Sequence, residues 1–271
     1  MYMKRSLRLH NYLKTLLVLV FFGFNVQASF GQLLDENFSY NVGTNLTANG
    51  WALTGTSSSP TIAVSAASIT YPGYLSSGIG EEVSLAVSGQ DVNRSFSPQT
   101  SGTVYASFLV NVTSATTGGD YFFNIGASTI ASNFRGRIFV RRDASNNLSF
   151  GIAQSATPVS YTAAIYALNT TYLIVLKYDI VTGTANDVSS IYVNPPLNSA
   201  IPSTGWISNS DASGADLANI GSVALRQGGS STGASLKLTE FVLVQIGLRL
   251  LARQLQLHGR HLGLLACLLP L

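Results

Sequence analysis

The residues that most often carry catalysis are missing from the middle of this chain. Between Gln32 and Val244 there is no histidine and no cysteine, and His10, His258, His261 and Cys267 all lie toward the two ends. A body of 213 residues therefore has no imidazole to serve as general base or metal ligand and no thiolate nucleophile. Carboxylates remain. Glycoside hydrolysis needs two acids about 5 to 10 Å apart across a cleft, and the adjacent pairs here are Asp35 with Glu36 and Glu81 with Glu82. Neighbours along a strand point to opposite faces, so neither pair forms an acid/base dyad by itself. The body reads as non-catalytic. A polysaccharide hydrolase or lyase stays open only through acids, or arginine, tyrosine and asparagine side chains, that the fold brings together from distant positions.

Two kinds of binding chemistry are left. A hard cation such as calcium takes oxygen ligands from carboxylates, amides and carbonyls. Asp35, Glu36 and Glu240 are the candidates, because the first and last strands are expected to pair, although no Asp-x-Asp-x-Asp/Asn-Gly loop accompanies them. Structural calcium is thus the only cofactor expectation. Sugar rings stack their apolar faces on exposed aromatic side chains, and Trp51, Tyr71, Tyr74 and Trp206 lie in or beside turn-rich sequence where such exposure is expected. Binding and packing weigh equally for these four. Phe108, Phe122, Phe139, Phe150 and Tyr178 are assigned to the core.

Charge argues against a nucleic-acid partner. The chain has a sequence pI near 9.0, but four of its 15 Lys/Arg precede residue 32 and three more follow Val244. The body keeps 8 basic residues against all 12 acidic ones, a net charge of −4. One basic cluster stands out, Arg135, Arg137, Arg141 and Arg142. On a strand its three odd-numbered members share a face, expected to be an ordinary solvated one.

These residues must be positioned by strands. Alternating or β-branched and aromatic runs recur at 33–38, 83–87, 103–112, 121–125, 137–142, 148–152, 172–180, 188–193, 222–226 and 236–244, with weaker ones at 51–54, 61–64 and 94–96. Gly, Asn, Asp, Ser and Thr separate them. With no cysteine in the body a single hydrophobic core must hold it, which 213 residues can supply. The expected fold is all-β, a two-sheet antiparallel β-sandwich. In Tyr172–Asp179, Leu173, Val175 and Lys177 share one face while Tyr172, Ile174, Leu176 and Tyr178 share the other. The polar turn 182–187 then returns the chain as an antiparallel hairpin that ends at Pro195 and Pro196.

The hairpin TYLIVLKYDIVTGTANDVSSIYVNPP resembles the central hairpin of laminin-G-like, concanavalin A-like jelly rolls. The segments LLDENFSYNVGTNLTANGW, TYPGYLSSGIG, GQDVNRSFSPQTSGTVYASFLVNVTSA, GDYFFNIG, FRGRIFVRRD, NNLSFGI and DLANIGSVALRQG are similar, in that order, to a secreted module of Bacteroidota surface proteins. The resemblance spans 33–244 and implies a jelly roll that binds extracellular polysaccharide or a surface protein. It also implies placement near the N-terminus of type IX secretion cargo. A structural spacer module is the alternative.

Residues 1–31 have the basic flank, short apolar run and small-residue site of a secretory signal peptide, with cleavage expected after Ala28 or Gly31. The apolar run Leu16–Phe24 is too short to span a bilayer, so no transmembrane segment is expected after cleavage. The module is expected to be secreted or on the cell surface, and periplasmic if the family's sorting domain is truly absent. Beyond Val244 the texture changes abruptly: residues 245–271 contain eleven leucines and three arginines. A terminal amphipathic helix or membrane anchor is one reading, but Arg249, Arg253, His258, Arg260 and His261 interrupt its apolar runs, and a shift of reading frame is the preferred expectation. Permitted codons for Leu243–Ala252, read one base over, give Gly-Thr-Asn-Trp-Ala, the element that usually follows the last strand in the family the chain resembles. Sequencing the coding DNA tests this, and codons that do not allow that reading rule it out.

Overall fold

The structure, a computed structural model, describes residues 30–246 apart from 57, 157 and 198–201. The expected signal peptide through residue 29 and the tail from residue 247 lie outside the described residues. Two antiparallel sheets face each other. The larger runs in the order β13 (Ile207–Ser210), β12 (Val188–Val193), β11 (Thr171–Ile180), β6 (Gly102–Ser114), β15 (Ser235–Ile246), β4 (Glu82–Leu85) and β3 (Val64–Ser65), and β1 (Phe30–Glu36) also pairs with β15. The second runs β10 (Ser160–Tyr161), β9 (Leu148–Ala153), β8 (Arg135–Arg142), β7 (Asp120–Gly126), β14 (Ile220–Leu225), β5 (Asp91–Gln99) and β2 (Ala52–Thr54). This is the two-sheet sandwich read from the strand pattern. No helix among the described residues is long and apolar enough to cross a membrane.

Side-chain alternation builds the core. On β11, Tyr172, Ile174, Leu176 and Tyr178 enter the main core, while Leu173 and Val175 lie in a second apolar cluster. The antiparallel hairpin expected from the sequence forms, and it pairs Ile174 with Val193 and Asp179 with Val188. β6 is likewise apolar on both faces, with Phe108 and Val110 inward and Tyr105 and Leu109 outward. That outward cluster is covered by the chain itself, through Tyr74, Ile69, Tyr71, Leu197 and Trp206. Strands β10 and β13 had no clear signal in the sequence: β10 has two residues, and β13 alternates Ile207 with Ser208, Asn209 and Ser210.

β15 holds the larger sheet together. It pairs along its length with β6, while its other edge is divided between β4, opposite 236–238, and β1, opposite 241–246. A bulge between Thr239 and Val242 marks the division, and Glu240 there adopts φ 52°. The strand continues past the composition change at Val244, since Gln245 pairs with Val104 and Gly31. Immediately after the bulge, Phe241 points inward. Its ring lies 5.6 Å from Phe38, 5.0 Å from Phe108 and 5.6 Å from Phe123, with Trp51 at 6.5 Å. Phe123 belongs to the opposite sheet, so this cluster joins the two layers. Phe241→Ala is expected to lower unfolding stability by about 3 to 5 kcal/mol, measured by chemical denaturation.

Candidate functional site

The three metal candidates do not converge. Glu36 stands opposite Phe241 and Asp35 opposite Val242, so the two carboxylates face opposite sides of the sheet. Glu36 is buried and fully engaged. It accepts hydrogen bonds from the Phe38 backbone N–H at 2.8 Å, the Tyr40 hydroxyl at 2.7 Å and the Trp51 indole N–H at 3.1 Å, and pairs with Arg94. It is a structural anchor. Glu240 lies on the other side with Asp35, hydrogen-bonded to Ser76 and only 3% exposed, and its Oε2 has no hydrogen-bond partner. Burial, reinforced by the charge of Asp35, pushes the Glu240 carboxyl up to about 8. Among the described residues no group of three or more His, Cys, Asp or Glu is placed to hold a metal ion.

The four stacking candidates divide as well. Trp51 is 2% exposed and Tyr74 4%, so of the two readings that weighed equally, packing holds for both, and neither has the exposure expected beside turn-rich sequence. Trp51 stacks on Phe38 at 6.0 Å inside the sandwich, tied down by its bond to Glu36. Tyr74 packs on the outer cluster of the larger sheet with its hydroxyl 3.4 Å from Ser107 Oγ. Turn-rich sequence carried both aromatics inward because the turns themselves fold back over apolar surface. Tyr71 and Trp206 are half-buried against that same cluster. Trp206 meets Tyr192 edge-on at 5.4 Å, donates its indole N–H to the Pro202 carbonyl at 2.8 Å and has Lys177 at 5.8 Å from its ring.

A different set of residues assembles on the outer face of the seven-stranded sheet. On β8, Ile138 and Val140 point inward, so Arg137, Phe139 and Arg141 point outward. Phe139, assigned to the core from its type, is therefore half-buried on the outer face. Arg135 does not join the other odd-numbered arginines. Gly136, at φ 53°, breaks the alternation, and Arg135 pairs opposite inward-facing Ile125 and donates to the carbonyls of Phe134 and Ala215. From β10, Tyr161 lies over Gly151, where a Cβ would sit 2.7 Å from its ring; the missing side chain on β9 makes room for it. Tyr121 adds a ring from β7.

The rings form a row across four strands. Tyr161 lies 6.4 Å from Phe139, Phe139 lies 5.5 Å from Tyr121, and Tyr121 lies 6.4 Å from Phe134. Guanidinium groups stack on them: Arg141 at 3.8 Å over Tyr161, Arg226 at 4.1 Å and Arg137 at 4.9 Å over Tyr121, with Arg137 also 5.5 Å from Phe134. Two carboxylates flank Arg226, Asp120 at 2.7 Å and Asp91 at 4.0 Å. Burial pushes Asp91 up to about 6 against the hydrogen bond from the Gln227 N–H and the charge of Arg226. Burial acts on Asp120 too, but Arg226, the Thr232 hydroxyl and the Tyr121 N–H outweigh it and hold that carboxyl below its ordinary value. Arg137 is pulled below its ordinary value by burial. Such a face offers aromatic stacking and forked N–H donors side by side. The signal was present in the sequence as Arg137-x-Phe139-x-Arg141, whose alternation places all three on one face.

No protein-family model matches the chain, and no curated protein matches it. Solved structures do match. An alginate lyase variant in complex with alginate tetrasaccharide aligns at 15% identity and TM-score 0.49, covering 82% of this chain and 100% of that one. The CBM2 module of the evolved Dit protein of Lactobacillus casei BL23 phage J-1 aligns at 12% identity and TM-score 0.46, covering 83% and 100%. Trypanosoma rangeli sialidase aligns at 16% identity and TM-score 0.42, covering 77% of this chain and 29% of that one. Identities this low concern the fold and not the residues of a site.

Glu240 carries a pH dependence whose sign is fixed by its environment. Its carboxyl titrates near 8 in the fold against 4.5 for the free group, so between those values the folded state holds the extra proton. Stability is accordingly lost as pH rises through that window. Glu240→Gln keeps the shape and removes the charge. Its denaturation free energy is expected to match the parent's at pH 5 and to exceed it by at least about 1.4 kcal/mol, one pKa unit's equivalent, at pH 8.5. Parallel pH profiles for the two proteins would refute this.

Proposed function

We propose that this chain is a secreted, non-catalytic β-sandwich module that binds extracellular carbohydrate across the outer face of the seven-stranded sheet. The row Tyr161, Phe139, Tyr121 and Phe134, with arginines stacked along it, carries the reading. Sugar rings pack on aromatic faces while their hydroxyls take hydrogen bonds from neighbouring donors, and this face supplies both within one strand spacing. Secretion is supported by the order of basic flank, apolar run and small-residue site at the N-terminus. The outer face of the larger sheet is the weaker candidate, because Tyr71 and Trp206 are partly spent on packing there.

A second reading, a polysaccharide hydrolase or lyase, is favoured by one observation. Asp91 and Asp120 stand at the starts of β5 and β7, beside an arginine of the binding face, with their protonation pushed in opposite directions. Against it, both carboxylates are occupied in holding the loop after β14. Asp91 accepts from the Gln227 N–H at 2.8 Å, and Asp120 accepts from the Thr232 hydroxyl at 2.8 Å. Reducing-end and unsaturated-product assays on polysaccharides separate the two readings: a binding module releases nothing, and an enzyme's release is lost in Asp91→Asn.

Glycan-array screening of the full chain tests the binding reading. Tyr161→Ala is expected to weaken the positive glycans about two- to tenfold, the equivalent of one aromatic contact, while Trp206→Ala leaves them unchanged. The reverse pattern moves the site to the other sheet. No glycan bound by the parent chain leaves the structural spacer.

A further inference from the structure

We infer that the ligand of this face is a linear polyanionic glycan, one that carries carboxylate or sulfate groups along its chain. The inference rests on the carbohydrate reading above and names the substrate class. A body of net charge −4 has 8 basic residues, and three of them, Arg137, Arg141 and Arg226, stand on this single face. Arg226 is already neutralised by Asp120 and Asp91. The other two are not. Every ion pair among the described residues leaves out Arg137 and Arg141.

Arg137 is the more telling of the two. It is half-buried, its Nε is buried without a hydrogen-bond partner, and two rings, Tyr121 and Phe134, lie against it. A half-buried cation with one buried donor unmatched is stabilised when an anion settles on the N–H groups that remain open. Stacking holds the plane of a guanidinium and leaves its N–H rim open, and that rim fits the two oxygens of a carboxylate or sulfate. A neutral sugar hydroxyl accepts one such bond and supplies no charge. The face is therefore built more fully than neutral binding requires.

Spacing sets the ligand's length. Arg137 and Arg141 are four residues apart on β8, about 13 Å at the rise of a strand. Phe139 lies between them on the same face, and Tyr161 lies beside it. One anionic group cannot reach both guanidiniums. A chain of several units can set one charge at each arginine and an uncharged ring face on the aromatics between them. Oligosaccharides should bind where the charged monosaccharide does not.

Two pairs of polymers test this on the full chain by affinity electrophoresis and titration calorimetry. Polygalacturonate is set against its carboxyl-reduced form, and dextran sulfate against dextran. Binding to either charged polymer at least about tenfold tighter than to its neutral counterpart is expected, with affinity falling as salt rises. The arm that binds identifies carboxylate or sulfate. Arg141 is exposed, so Arg141→Gln puts little of the fold at risk, and it should cost about tenfold for the charged polymer and only about twofold, one neutral hydrogen bond's share, for the neutral one. Lys177→Gln, the same charge change beside Asp179 on the other sheet, should cost neither. Equal affinity for charged and neutral partners overturns the inference and leaves the carbohydrate reading standing. Binding to neutral glycans alone does the same. Absence of binding to any glycan overturns both.

Discussion

The sandwich depends on how β15 is held. A strand in the middle of a sheet normally has one partner on each side, but β15 has β6 on one edge and two shorter strands, β4 and β1, in succession on the other. Those two come from different parts of the chain and cannot both follow one straight ladder. The bulge between Thr239 and Val242 absorbs the mismatch. It also turns Phe241 inward and leaves Glu240 on the outer side with Ser76. One irregularity thus closes the sheet, places the ring that ties both layers together and creates the most strongly perturbed carboxyl on that face.

Glu36 does the matching work at the end of β1. Its two oxygens gather a backbone N–H, a tyrosine, the Trp51 indole and Arg94, which comes from β5 in the opposite sheet. Burying a carboxylate is tolerable only when its lone pairs are used this completely. Together the bulge and this cluster connect the two sheets through both apolar and polar contacts, with no cysteine in the body to form a disulfide.

Much of the fold was legible because its strands obey a period of two. The β11–β12 hairpin and the two faces of its first strand follow from residue order, and the pairing of the first strand with the last was expected as well, whereas the hairpin's register was not read from it. The candidate site was less legible, for reasons that lie in particular residues. Trp51 and Tyr74 were judged by the turns around them, yet burial is decided by what those turns fold onto. Phe139 was placed inside by residue type, although its neighbours Arg137 and Arg141 fix its face. Arg135 was grouped with them because nothing in the sequence announces that Gly136 adopts a positive φ. Tyr161 stands on a strand of two residues, too short to produce a pattern, and its place depends on Gly151 in a different strand.

The two outer faces of the sandwich meet opposite demands, and this explains why chemistry gathers on one of them. β6, β11 and β15 are apolar on both sides, so the larger sheet must cover its outer face, and the chain spends Tyr74, Tyr71 and Trp206 doing so. In the second sheet β8 alternates cleanly over 137–141. β8 sends Ile138 and Val140 inward and Arg137, Phe139 and Arg141 outward, whereas the outward Ser222 of β14 is covered by the segment after β7, where it donates to the Ala127 carbonyl. The part of that face around β8 is left open, its rings shielded by one another and by the guanidiniums beside them. A surface paved in this way tolerates water and still offers flat apolar area. The same alternation that leaves the outer face of β8 free of a structural duty therefore equips it to meet a ligand.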